Sequence, residues 1–71
     1  MNWNEEMGNR INECLGRKGW NQTDLAAEMN VSPHTVSRWV CGVRMPTTWH
    51  LREITKLLDT SADYLLFGGE S

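Results

Sequence analysis

Residues Gln22 to Cys41 read QTDLAAEMNVSPHTVSRWVC, and this stretch decides the fold. Apolar residues recur with helical spacing in its first part and again in its last part. The first stripe is Leu25, Ala26 and Met29, and the second is Val36, Trp39 and Val40. The pattern predicts two short helices joined by a tight turn.

The turn and the second helix carry their own local signals. Asn30 accepts a left-handed backbone conformation better than any residue except glycine. Ser32 can cap the second helix, and Pro33 fits its first turn, where a missing N–H costs nothing. The residues left on the outer side are Pro33, His34, Thr35, Ser37 and Arg38. A short, rigid helix with a polar outer face is what entry into a DNA major groove requires.

The remaining sequence predicts three more helices and no strand. The predicted helices run from Glu5 to Lys18, Gln22 to Met29, Pro33 to Val40, Thr47 or Thr48 onward, and Ala62 to Phe67. Gly19 marks the end of the first helix, and Asn21 and Ser61 are good N-caps. We therefore expect one compact all-α domain over residues 1–71, with a flexible arm at 1–4 and a flexible tail at 69–71.

These motifs resemble the XRE family, the Cro and phage-repressor class of helix-turn-helix regulators. The matching residues are Gln22, Leu25, Ala26, Asn30, Val31, Ser32, Val36, Trp39 and Gly42. The resemblance extends from about Met7 to Gly68. It implies a five-helix, lambda-repressor-like domain that binds double-stranded operator DNA. It also implies a Cro-like or phage-immunity repressor that acts as a homodimer in the cytoplasm of a bacterium or phage-infected host, at the nucleoid.

The resemblance also implies roles for single residues. Base-reading positions are Pro33, His34, Thr35 and Arg38. Phosphate-binding positions are Asn21, Gln22, Ser37 and Arg44, together with backbone N–H groups from Cys41 to Val43. In relatives the region around the fifth helix and the start of the fourth helix forms the dimer contact, so we expect the interface of this chain at Trp49, His50, Tyr64 and Phe67.

Several of these roles have a simpler alternative. The Arg38 guanidinium can donate two hydrogen bonds to guanine O6 and N7, or it can contact a phosphate or remain solvated. His34 can donate to guanine, contact a phosphate or stand in solvent. Asn21 can cap its helix without contacting DNA at all.

One departure from the family pattern concerns two positions together. Many relatives carry an Arg and a Glu that form an ion pair where this chain has Leu15 and Val40. Replacing both partners of such a pair by packed apolar residues is often neutral or stabilising. We therefore expect an apolar contact between the first and third helices at this point.

The charge of the chain is a weaker indication of DNA binding than the motifs are. The net charge is −2 and the pI is near 5.5, whereas DNA-binding domains are usually basic. Residues 31–56 nevertheless carry a local charge of +3. The acidic total, together with Trp3 and Trp49, for which the sequence pattern offers no core position, keeps a rival open, namely a protein-interaction module such as an antitoxin-like helix-turn-helix protein.

Other function classes lack support in the sequence. Cys14, Cys41, His34 and His50 do not follow a zinc-ligand spacing, and no motif implies a catalytic nucleophile with its base. No apolar run approaches 18 residues, and no signal-peptide pattern begins the chain. We expect no enzyme activity, no cofactor, no metal, no small-molecule ligand and no membrane partner. The chain is either a complete small regulator or the DNA-binding part of a longer one.

Overall fold

The computed structural model describes residues 3–68, and these residues form five α-helices without a strand. The helices are α1 (Trp3–Lys18), α2 (Gln22–Met29), α3 (Pro33–Val40), α4 (Thr48–Leu57) and α5 (Ala62–Phe67). The predicted bounds of α2, α3 and α5 are confirmed. Helix α1 begins two residues earlier than predicted, so the backbone of the expected arm is helical from Trp3. Residues 1–2 and the expected tail at 69–71 lie outside the described residues.

Side-chain caps explain where the short helices begin. The Asn21 side chain accepts a hydrogen bond from the Asp24 N–H at 2.8 Å, and the Asp24 carboxylate accepts one from the Asn21 N–H at 2.9 Å. This reciprocal capping box satisfies two N–H groups at the start of α2. Ser32 and Ser61 cap α3 and α5 in the same position, as the sequence predicts.

Two turns depend on residues in the left-handed backbone region. Asn30 ends α2 with φ at 58°, and Asp59 follows α4 with φ at 54°. Asn and Asp are among the few residues other than glycine that accept this conformation. The Asn30 turn is short enough to hold α3 directly against α2.

All five helices contribute to one apolar core. Its buried residues are Met7, Ile11, Cys14, Leu15, Leu25, Ala26, Met29, Val36, Trp39, Ile54, Leu58 and Leu65. Trp20, Val40, Leu51 and Leu57 pack against this core and are partly buried. None of the helices in residues 3–68 is both long and apolar enough to cross a membrane.

Glycine allows α1 to approach the end of α3 very closely. A β-carbon on Gly8 would lie 2.2 Å from the Val40 carbonyl oxygen and 2.6 Å from that of Trp39. A β-carbon on Gly42, whose φ is 78°, would lie 2.9 Å from the Glu5 Cα. Side chains at these two positions would separate the elements, so the glycines fix where α3 ends relative to α1.

Two polar contacts tie α1 to α5 at the other side of the domain. The Arg10 guanidinium donates to the Leu65 carbonyl oxygen at 3.2 Å and to the Glu6 carboxylate at 3.2 Å. The Tyr64 hydroxyl donates a hydrogen bond to the Glu13 carboxylate. This hydrogen bond stabilises the protonated phenol and raises the pKa of Tyr64 above its usual value of 10.0.

Candidate nucleic-acid interface

Helix α3 buries one side in the core and exposes the other to solvent. Val36 is fully buried and Trp39 is 3% exposed. Pro33, His34 and Arg38 are exposed on the outer side of the helix. This is the division that the sequence predicts for a helix that reads DNA.

Thr35 and Ser37, the other two polar residues of α3, are half-buried. The Thr35 hydroxyl lies 3.0 Å from the Ser32 hydroxyl, and its N–H donates to the same oxygen at 3.2 Å. Thr35 therefore helps to build the start of the helix as well as its outer face. Of the four predicted base-reading residues, Pro33, His34 and Arg38 are therefore exposed, and Thr35 is half-buried.

Asn21 and Gln22, two of the predicted phosphate-binding residues, lie at the start of α2. Asn21 uses its side-chain oxygen in the capping box, so the capping alternative accounts for the position of this residue. Gln22 is half-buried at the first position of α2. Its N–H, like others in a first helical turn, has no intrahelical acceptor and can donate to an anion.

The backbone N–H groups between Cys41 and Val43, which are predicted to bind phosphate, all donate within the chain. The Cys41 N–H donates to the Ser37 carbonyl oxygen at 2.9 Å, and the Val43 N–H donates to that of Arg38 at 3.0 Å. The Gly42 N–H donates to Trp39 at 3.2 Å. These N–H groups satisfy carbonyl oxygens at the end of α3, and phosphate binding by Cys41 and Val43 stays a prediction.

Arg44 follows these residues in the loop between α3 and α4. Its side chain is exposed, and within residues 3–68 neither Arg44 nor Arg38 takes part in an ion pair. The two ion pairs of the described residues, Arg10 with Glu6 and Arg17 with Glu13, both lie within α1. Arg38 and Arg44 therefore present uncompensated positive charge.

A cleft separates the outer side of α3 from the start of α4. It has a volume of about 220 Å³, and its walls are Thr35, Arg38, Trp39, Arg44, Met45, Thr47 and His50. The rings of Trp39 and His50 lie 5.2 Å apart at a tilt of 48°. No acidic side chain lines the cleft. Nothing local in the sequence pairs His50 with α3, so this cleft cannot be predicted from the sequence.

The four residues expected at a dimer contact differ in how far their side chains are exposed to solvent. Trp49 is 70% exposed and Phe67 is 62% exposed. Tyr64 is half-buried and bonded to Glu13, and His50 is half-buried against Trp39. Only the first two present large apolar surface to solvent.

The residues considered for a metal site are not brought together. Cys14 is buried in the core, whereas Cys41 is exposed at the end of α3, and both are free thiols. In the part of the chain that the structure describes, no group of three or more His, Cys, Asp or Glu side chains is placed to hold a metal ion.

Arg10 is a residue whose importance the sequence did not reveal. It joins the end of α5 to α1, and a β-carbon on Gly68 would lie 2.6 Å from its guanidinium nitrogen. The only sequence signal at Arg10 is its i,i+4 spacing from Glu6. That spacing predicts an ordinary ion pair within one helix and not a contact with α5.

Comparison with known proteins agrees with this geometry. Residues 11–65 match the sequence profile of the family described as Helix-turn-helix. The chain is 30% identical over 60 residues to the HTH-type transcriptional regulator ImmR of Bacillus subtilis (strain 168). The match covers 84% of this chain and 47% of that protein, so the chain spans about half the length of this relative. No solved structure matches the chain significantly.

Proposed function

We propose that this chain, which belongs to the XRE (Cro/C1-type) helix-turn-helix family of DNA-binding transcriptional regulators, is a repressor that binds a near-palindromic operator as a homodimer. The family places the chain among regulators and not among enzymes. One observation carries the proposal. Helix α3 buries Val36 and Trp39 and leaves His34 and Arg38 on a free outer face.

The mechanism follows from the size of this helix and from symmetry. An α-helix fits the major groove, where each base pair presents a distinct set of donors and acceptors. Two copies of α3 related by a two-fold axis would enter successive major grooves, roughly 34 Å apart. The bound dimer would then block RNA polymerase at an overlapping promoter.

Each predicted group of residues has a place in this mechanism. His34 and Arg38 read base edges, with Pro33 and Thr35 beside them. Gln22 at the start of α2 and Arg44 after α3 hold the DNA backbone, with Asn21 and Ser37 at the edges of this contact. Phosphate contacts of this kind fix the register of the reading helix. We assign the regulator to the cytoplasm, where such DNA is found.

The dimer contact that we propose rests on Trp49 and Phe67. Both side chains are exposed and apolar, and aromatic residues are enriched at interfaces. Sedimentation of the chain at increasing concentration, alone and with its operator, measures the assembly. A chain that binds its operator only as a monomer would contradict this part of the proposal.

Selection of bound sites from a random duplex pool tests DNA recognition directly. We expect a two-fold related consensus and an affinity that falls steeply as salt rises, because phosphate contacts release counterions. The rival function, a protein-interaction module, is favoured by the same exposed Trp49 and Phe67 and by the acidic net charge. Such a module would enrich no sequence and would not bind duplex DNA measurably.

A further inference from the structure

We propose that Thr35 recognises the 5-methyl group of one pyrimidine in each half-site, so that thymine and 5-methylcytosine are equivalent at this contact. The inference rests on the proposed function, since it assumes that the outer side of α3 faces a major groove. It gives Thr35 an apolar contact of its own, next to the polar contacts of His34 and Arg38.

The hydroxyl group of Thr35 is already engaged within the chain. Its oxygen lies 3.0 Å from the Ser32 hydroxyl oxygen, and the Thr35 N–H donates to that same Ser32 oxygen at 3.2 Å. The first contact directs the Thr35 hydroxyl toward the start of α3. Because threonine is stiff at its first side-chain torsion angle, the methyl group on the same carbon is held in a different direction. The part of this side chain that remains for DNA is therefore the methyl group.

The residues before Thr35 add few hydrogen-bonding groups to the first turn of α3. The residues near the N-terminus of a reading helix are the ones that contact base edges. Ser32 uses its side-chain oxygen as the N-cap, and Pro33 is exposed at the first position with a ring that carries no polar atom. Apolar contact is therefore the chemistry that this turn adds to the hydrogen bonds of His34.

The major groove offers one kind of apolar group for such a contact. Thymine carries a methyl group at C5, whereas the other three bases present donors and acceptors there. In 5-methylcytosine the same methyl group stands on the same ring carbon. A side chain that contacts the methyl group, and no donor or acceptor of the base, cannot distinguish these two pyrimidines.

Arg38 indicates where in the operator this methyl group should lie. Thr35 and Arg38 are three residues apart on one helix, so their side chains are neighbours. Both also line the cleft between α3 and α4. The pyrimidine that Thr35 contacts should therefore belong to a base pair adjacent to the one that Arg38 reads.

Paired duplexes that differ by a single methyl group test the contact. Each pyrimidine of the selected operator is compared as thymine against uracil opposite adenine, and as 5-methylcytosine against cytosine opposite guanine. Loss of the methyl group should weaken wild-type binding about threefold to tenfold at one pyrimidine per half-site, and by the same factor in both pairs. This pyrimidine should lie next to the base pair at which Arg38→Ala relaxes preference.

Two substitutions separate the methyl group of Thr35 from its hydroxyl group. Thr35→Val keeps the methyl group and should retain the wild-type methyl effect. Thr35→Ser keeps the hydroxyl group, and its methyl effect should fall below about twofold. Thermal unfolding checks that each variant is folded. Thr35→Ser can preserve both contacts with Ser32, so it decides the assignment even if Thr35→Val does not fold.

Thr55→Ser is the matched control on another helix. Thr55 lies on α4, and its hydroxyl likewise makes a local bond, donating to the Arg52 carbonyl oxygen at 2.7 Å. This variant loses a threonine methyl group away from α3 and should reproduce the wild-type methyl effect in both duplex pairs.

Four results would contradict these expectations in different ways. Wild type that is insensitive to the methyl group at every pyrimidine overturns the contact while DNA binding stands. An effect confined to thymine against uracil shows that base identity is read and overturns the equivalence. A methyl effect that survives in Thr35→Ser overturns the assignment to Thr35. Wild type that binds no duplex at all overturns the proposed function as well.

Discussion

At the scale of single residues, Arg38 is the side chain on which sequence preference should depend most. It is exposed on the outer side of α3, one turn after His34. Arg38→Ala should cost about 1–3 kcal/mol of specific binding and relax preference at one base pair per half-site. Binding to the selected operator and to its single-base variants measures both effects. Uniform weakening on all sequences would identify a phosphate contact instead.

Individual residues show which structural features could be predicted from local sequence and which could not. The outward positions of His34 and Arg38 could be predicted, because helical spacing alone separates them from Val36 and Trp39. The position of His50 against Trp39 could not be predicted, because it depends on where the loop after α3 places the start of α4. The use of the Cys41 and Val43 N–H groups depends on how the chain leaves α3, which the resemblance did not specify.

At the scale of helices, the contact between α1 and the end of α3 makes Gly8 a sensitive position. Gly8→Ala should destabilise the fold by at least about 1–3 kcal/mol, because its methyl group would lie within 2.2 Å of a backbone oxygen that has little freedom to move. Denaturant unfolding measures the loss.

Gly16 provides a control within the same helix. A β-carbon there meets nothing within 4 Å, so Gly16→Ala should raise stability by about 0.5–1 kcal/mol through helix propensity alone. Equal stabilities for the two alanine variants would mean that α1 does not approach α3 this closely.

The Leu15 and Val40 substitution pair tests how α1 and α3 pack. Leu15 is 1% exposed, and Val40 is half-buried against the same core. Val40→Glu alone should cost about 3 kcal/mol, the lower end for an unpaired charge, because position 40 is only partly buried. Adding Leu15→Arg should recover much of this loss. The coupling is measured by a double-mutant cycle in chemical denaturation; additive effects would show that the two positions do not meet.

Helix bounds followed from the sequence where a cap marked them. Asn21, Ser32 and Ser61 each precede a helix that begins at the predicted residue. Helix α1 begins at Trp3, two residues before its predicted start at Glu5. The close approach of Gly8 to α3 had no local signal, because a glycine inside a helix is equally consistent with a weak position and with a packing contact.

At the scale of the whole molecule, the Tyr64 bond to Glu13 connects the first and last helices. Because the folded state raises the pKa of Tyr64 above 10.0, the folded protein retains this proton longer than the unfolded chain. The stability contributed by the bond should be complete below about pH 10 and decline as pH rises through the folded-state pKa. Tyr64→Phe removes both the bond and this dependence.

Unfolding curves measured from pH 7 to 11 give the comparison. The difference in unfolding free energy between wild type and Tyr64→Phe should be constant at neutral pH and shrink in the alkaline range. A difference that stays constant to the highest pH would show that the phenol proton does not contribute to stability.

The small number of core residues in α3 has a consequence for sets of related regulators. Only two of its eight residues are buried in the core, so the side chains at positions 34 and 38 can be exchanged without repacking the domain. In the homodimer that we propose, chains that diverge there would address different operators, yet their subunits would still pair with one another through an unchanged contact surface. Under the same proposal, discrimination between the subunits of such regulators in one cell would have to arise at Trp49 and Phe67, which lie on α4 and α5 and not on the reading helix.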